Sequence, residues 1–168
     1  MSRGGFILME VSVAYVVLVV GLLALLPVFV IAIRASKGTE QLQVATYLSQ
    51  ELLEEIRLRK WDQNSATSPV YVSTRSVLGI DAGETASNKT TFNDIDDFNG
   101  WTESPPRDPL NNPLPAFSAY TRSVTVGYAD SSLVVLSTPT TSDYKRVAVC
   151  TLTTKLSPVC LTTVFTNR

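Results

Sequence analysis

The sequence predicts an α+β protein: a long N-terminal helix, apolar in its first half and amphipathic in its second, packed against a small antiparallel β-sheet head. Three observations carry this. Val11 to Ile33 is 23 residues without a charge. Beyond Lys37, apolar residues recur at three- and four-residue spacing, the period of a helix. From Tyr120 onward they alternate, the period of a strand.

At about 1.5 Å per residue, the charge-free run makes a helix about 34 Å long, enough to cross a hydrocarbon core of about 30 Å. One acid, Glu10, stands at its start. A carboxylate in such a helix costs about 2.5 to 3.5 kcal/mol at the bilayer centre, and less near the interface. Glu10 is therefore either a wetted acid at headgroup depth, content beside a helix N-terminus, or a group kept for a partner. Gly21 and Pro27 are weak points in the helix. Glycine costs about 1 kcal/mol against alanine, and Pro27 removes the bond to the Leu23 carbonyl. A membrane helix with a tolerated kink accounts for both.

The amphipathic half carries Leu42, Ala45, Leu48, Leu52 and Ile56 as one stripe, with Glu51, Glu54, Glu55, Arg57, Arg59 and Lys60 covering the other side. Glu55 and Arg59 stand at i,i+4, and the basic residues fall in the last turn, as the helix dipole prefers. The expected end is near Trp61-Asp62, so residues 34–61 form the amphipathic segment and Glu51, Glu54 and Glu55 a solvated face.

The remainder, residues 62–168, is sized for one small head. Asp62 to Pro69 reads as a linker, Val70 to Leu78 as a weak strand and Gly79 to Asn93 as a loop. Asn93 to Trp101 is the acidic knot of the chain. Its alternating Asp and Asn ending in Gly100 resembles a calcium loop, with Asp94, Asp96, Asp97 and Asn99 as candidate ligands. It fails the EF-hand pattern, because the fifth place from Asp94 is Phe98 and the twelfth is Pro105. An Asx-rich turn whose side chains cap the backbone is the favoured reading; no cofactor is expected, with calcium the open alternative.

Trp101 to Ala116 holds five of the nine prolines and is expected to cross the surface without regular structure. After it, Tyr120, Val124, Val126 and Tyr128 share one strand face, with Thr121, Ser123 and Thr125 on the other. Leu133 to Leu136 is short and apolar. Tyr144 to Thr154 and Val159 to Phe165 form a hairpin around Lys155 to Pro158. Cys150 and Cys160 flank it. A turn centred near Lys155 sets them opposite one another for a disulfide, whereas a turn over Lys155 to Pro158 shifts the register and leaves two small buried hydrophobes.

Composition narrows the function. With 14 basic and 15 acidic residues the chain is nearly neutral, so no electrostatic footprint for nucleic acid exists. The absence of His excludes His-based triads, imidazole metal ligands and haem attachment through Cys-x-x-Cys-His. No nucleophile motif points to an enzyme. An ordinary secretory signal fits poorly, because the apolar run exceeds the usual 7–15 residues of such signals and no small-x-small cleavage site ends it.

The N-terminus adds a family resemblance. A short basic leader, Met1-Ser2-Arg3, ends in Gly4-Gly5, followed by Phe6, by Glu10 four residues on, and by the long apolar helix. This resembles the class III signal of type IV pilins and type II secretion pseudopilins, matching at Gly5, Phe6, Leu8, Glu10 and Val11. Ile7 departs from the family's usual Thr or Ser, and Met9 is a tolerated apolar variant. Pro27 falls where the family often carries a helix-breaking proline, and Asp96 to Trp101 looks like a stretch of minor pilins of the mannose-sensitive-haemagglutinin type.

The resemblance implies a leader, residues 1–5, cut after Gly5 by a prepilin peptidase, and N-methylation of Phe6. Residues 6–33 then serve as transmembrane and filament-core helix, with the segment between Gly21 and Pro27 able to melt on leaving lipid. Glu10 would pair with the Phe6 amine of a neighbouring subunit and set axial register. The expected partners are other pilin subunits, the peptidase, and the inner-membrane assembly machinery. The expected location is a bacterial inner membrane, N-terminus inside, and later a periplasmic or extracellular filament. Charge alone does not choose the orientation, since Arg3 precedes the span and Arg34 and Lys37 follow it. The head's irregularity points to a minor pilin aiding initiation, assembly or tip function. A minor pseudopilin of type II secretion and a non-polymerising single-pass envelope binding protein are the alternatives.

Overall fold

A computed structural model describes residues 3–65, 71–136, 142–154 and 156–167, with the side chains of residues 3–8 and 156 outside that description. Helix α1 spans Arg3–Arg57, 55 residues, with Pro27 inside it and no interruption there. The chain divides into two units, Met1–Gln41 and Leu42–Arg168. The first is helix alone. The second, the head, contains the last turns of α1 and the sheet.

The sheet is a four-stranded antiparallel meander in the order β1 (Thr102–Glu103), β2 (Tyr120–Ala129), β3 (Tyr144–Thr153) and β4 (Leu156–Thr166). The expected α+β arrangement of a long helix packed on an antiparallel sheet is thus the fold. Alternation puts Val124 and Val126 of β2 and Val147 and Val149 of β3 on the covered face. They meet Leu52 and Ile56 of α1, and Phe92, Ile95, Phe98 and Trp101 from the connecting chain. Phe92 lies edge-on to both Phe98 and Trp101, with ring centroids 5.1 and 5.2 Å apart.

Of the expected helix stripe, Ala45, Leu48, Leu52 and Ile56 are buried, whereas Leu42 is half exposed. The helix ends at Arg57 rather than near Trp61. The reason is that Lys60 leaves the helical path to pair with Asp94: the Lys60 N–H donates to the Asn93 carbonyl and the Ile95 N–H to the Lys60 carbonyl. The expected strand over Val70 to Leu78 does not form in the described part, 71–78. There the N–H and carbonyl of Val72 are taken by the side chain of Asn167 instead of a ladder. The supposed linker begins with a buried residue, Asp62; its residues 66–69, and Val70, lie outside the description.

The proline-rich stretch is less irregular than expected. Thr102–Glu103 adds a short edge strand to β2, and Pro115–Phe117 forms a 3-10 turn. Leu133 to Leu136 folds back over the end of β2, where Asp130 Oδ1 accepts the N–H groups of Ser132 and Val134. A β-carbon added at Gly127 would meet Val135 Cγ1 at 2.9 Å, so any larger residue there would have to displace the Val135 side chain.

Thr153 pairs with Leu156, so the hairpin closes before Ser157 and Pro158, tighter than a loop reaching Pro158; Lys155 lies outside the description. Pro158 consequently lies within β4, which tolerates it as an edge strand; the ladder slips between Thr151 and Thr153, opposite that segment. Cys150 and Cys160 stand opposite one another and form a disulfide.

Phe98 is fully buried, edge-on to Phe92 in the core. Phe98→Ala is expected to lower stability by about 3–5 kcal/mol, read from denaturant unfolding of the full chain in detergent micelles.

Candidate functional site

Two features of the chain ask for chemistry beyond folding. The first is the surface of α1 in the N-terminal unit. Every described residue from Met9 to Lys37 is exposed except Val19, which is half-buried. Aliphatic side chains bared over this length lose roughly 25 cal/mol for each Å² left in water, so the surface needs lipid or other helices around it. The helix is long and apolar enough to cross a membrane. Glu10 sits at its start, exposed, with no ion-pair partner among the described residues. A β-carbon added at Gly21 would meet nothing within 4 Å beyond the helix's own neighbouring backbone, so no packing within the described chain requires glycine there. Gly5 and Phe6 lie in helical backbone, and the surroundings of Phe6 are outside the description.

The second feature is the charge buried in the head. Arg122, Lys89 and Lys145 are fully buried. Glu103 of β1 lies opposite Arg122 in the β1–β2 register and receives its guanidinium. The same carboxylate takes Lys89 Nζ at 2.9 Å and the Trp101 indole N–H at 2.9 Å. Lys89 also reaches Glu55 of α1 at 2.8 Å, and Arg122 donates to the Leu48 carbonyl and to Glu51. Burial pushes the Glu103 carboxyl up, but Arg122 and Lys89 outweigh it and hold the group below its usual range. For Glu55 burial wins over Lys89 and the carboxyl is raised.

Lys145 of β3 anchors a separate set. It pairs with Asp96, donates to the Trp61 carbonyl at 2.6 Å and to Asp62 at 3.4 Å, and lies 4.0 Å from the centre of the Trp61 ring. Asp62 Oδ2 also accepts the N–H and hydroxyl of Ser76. Burial favours the neutral acid at Asp62, yet the N–H groups of Ser76 and Asn64 and the Lys145 charge bring it below the usual value.

Beside this set lies an acidic centre formed by Asp81, Asp94 and Asp97, one carboxylate oxygen of each within 4.8 Å of the others. The knot is the Asx turn expected of it. Asp94 Oδ1 accepts the Asp96 N–H, and Asp97 Oδ2 accepts those of Asn93 and Asp94. Burial, then the Asp96 and Asp97 charges, push Asp94 up to about 8. Burial and the adjacent Glu84 carboxyl push Asp97 up to about 6.

Of the four candidate ligands in the knot, only Asp94 and Asp97 belong to this centre. Asp96 is turned to Lys145 and Ser76, and Asn99 Oδ1 accepts the Val126 N–H. Asp81 comes from the stretch read as a loop, Gly79 to Asn93, with no local pattern to single it out. Glu55 likewise leaves the supposed solvated face for Lys89, and Arg122 hides among strand residues that alternate without it. The signal that could have found them is a charged residue in register with apolar ones: Arg122 with Val124 and Val126, Lys145 with Val147 and Val149.

These features define a two-unit α+β protein with one helix fit to cross a membrane and a disulfide-bridged head. Comparison of the chain with family models, curated proteins and solved structures finds no match.

Glu103→Gln leaves Lys89 and Arg122 buried with one carboxylate fewer, and is expected to cost about 3–5 kcal/mol. Because the folded Glu103 titrates below its ordinary 4.5, its contribution is complete above that value and is lost as pH falls through the folded one. Unfolding measured from pH 7 to 3 should therefore show a shallower acid decline for Glu103→Gln than for the parent chain.

Proposed function

We propose that this protein is a structural subunit of a type IV pilus-like filament, a minor pilin whose α1 is first a membrane anchor and then the packing element of the fibre. The observation that carries the reading is the bare aliphatic surface of α1 from Met9 onward, interrupted at its start by one carboxylate. A single anchor has no need of an acid in its apolar helix, whereas helices packing side by side can use one to meet a neighbour's terminal ammonium. The Gly4-Gly5-Phe6 leader supports it, since cutting after Gly5 would create that ammonium on Phe6. The long helix laid on an antiparallel meander is an arrangement consistent with a pilin head. The bridged Cys150–Cys160 pair suits an oxidising envelope or extracellular location. In this reading the chain works by assembly rather than by catalysis, and its partners are other subunits, the peptidase and the inner-membrane machinery.

Mass spectrometry of protein recovered from cells tests processing: the expected mature chain begins at Phe6 and carries one methyl group on its amine. Glu10→Leu is expected to be cut as well as the parent chain but to drop out of sheared filaments at least tenfold. Recovery of the parent chain only as an uncut monomer starting at Met1, or normal filament entry of Glu10→Leu, overturns the reading.

A further inference from the structure

Lys145, Asp96 and Asp62 meet in a pocket closed to water. Each is 0% exposed, and Lys145 Nζ lies 4.0 Å from the centre of the Trp61 ring and 5.5 Å from that of Tyr128. Three acceptors surround Nζ: the Trp61 carbonyl at 2.6 Å, Asp62 Oδ2 at 3.4 Å, and Asp96 Oδ1 in direct contact. The other oxygen of Asp96, Oδ2, meets the Ser76 hydroxyl, which also meets Asp62 Oδ2 at 2.9 Å. A hydroxyl has one hydrogen to donate, so the second of these contacts needs a proton on a carboxyl. Asp62 accepts the backbone N–H groups of Ser76 and Asn64 and faces Lys145, which keeps it anionic. The proton therefore belongs on Asp96 Oδ2, which donates to Ser76 while Ser76 donates to Asp62. Burial of Asp96 acts in the same direction.

A neutral carboxyl whose carbonyl oxygen touches a lysine, with a carboxylate beside the amine, is the set that amide formation needs. Groups held in this way reach effective molarities of about 10⁵–10⁸ M, and a site without water opposes the return hydrolysis. Exchanging a buried ion pair for a neutral amide also removes the cost of desolvating two charges. We infer that Lys145 Nζ and Asp96 Cγ condense to a side-chain amide, a covalent bridge between β3 and the turn at residues 94–98, with Asp62 as the base. Asp62 takes one proton from the ammonium, and the freed amine bonds to Asp96 Cγ. The Cγ–Oδ2 bond breaks, and the Oδ2 hydroxyl leaves as one water with a proton relayed through Asp62 and Ser76. Of the three ammonium protons, one stays in the amide, one leaves in the water and one remains on Asp62. Lys89 marks the contrast. Its partner Glu103 also accepts the Arg122 guanidinium and the Trp101 indole and Arg107 backbone N–H groups, which hold it anionic and make it a poor acyl donor. The turn at residues 94–98 supplies Ile95 and Phe98 to the core, so the bridge would fasten core and sheet together. This inference is independent of the filament reading.

The test is mass spectrometry of the full chain purified in detergent micelles and reduced, intact and after trypsin. Lys145→Arg keeps the cation and removes the amine. Once that one-residue difference is subtracted, the parent chain is expected to be one water lighter than Lys145→Arg. Trypsin does not cut after an acylated lysine, so residues 90–107 and 123–146 should leave the parent as one branched peptide. Asp62→Asn removes the base and should lower the linked fraction at least tenfold in chains whose circular dichroism matches the parent. If Asp62→Asn does not fold, the parent's branched peptide decides. A parent chain of unlinked mass, or a lost water with the two peptides separate, as ring closure along the Asp96-Asp97 backbone would give, overturns the bridge. Undiminished linkage in folded Asp62→Asn overturns the role of Asp62.

Discussion

Arg122, Lys89 and Lys145 are each carried into the head by an element whose other residues have good reason to be there, and each must then be met by an acid. Burying a lone cation of this kind costs several kcal/mol, so the acids are as obligatory as the hydrophobic contacts around them. Glu103 stands opposite Arg122 because β1 pairs with β2 in that register. Lys89 reaches both Glu103 and Glu55, linking the loop before the sheet to α1. Lys145 does the same for Asp96 and Asp62, on either side of the irregular chain between helix and sheet. The described residues of that stretch, with little regular structure, are thereby tied to helix and sheet through carboxylates rather than ladders.

The same constraint explains where acid is left over in the head. Ion pairing is complete around Glu103 and around Lys145, and the surplus of acid collects at Asp81, Asp94 and Asp97. The N-terminal unit is governed by a different rule: its helix is free of charge from Val11 to Ile33, just after Glu10, and among the described residues nothing of the chain covers its aliphatic surface. Neutralising charge in the head and covering apolar surface along α1 are thus separate problems, the first solved within the chain and the second left to surroundings.

Much of this was legible in the residues. The charge-free run, the stripe from Ala45 to Ile56, the alternation in β2 and β3, and the pairing of Cys150 with Cys160 under a turn near Lys155 all rest on local periodicity or sequence distance. Those are properties a linear reading can measure. The Asx turn at Asp94 was legible too, because its hydrogen bonds close within four residues. The strand expected near Val72, the helix end expected near Trp61 and the solvated role expected for Glu55 failed for one shared reason. Each was decided by a partner far along the chain: Asn167, Asp94 and Lys89 in turn.

By itself, then, the order of residues determined a membrane-length helix continuing into an amphipathic one, a β-rich head and the acid at the start of α1, since periodicity and composition act over one or two turns. Only the tertiary structure decided which acid meets which base, that Asp96 and Asn99 are occupied elsewhere, and that Asp81 joins Asp94 and Asp97. The physical reason is that a buried charge is satisfied by whatever the fold brings within about 3 Å of it, and closeness of that kind carries no local pattern.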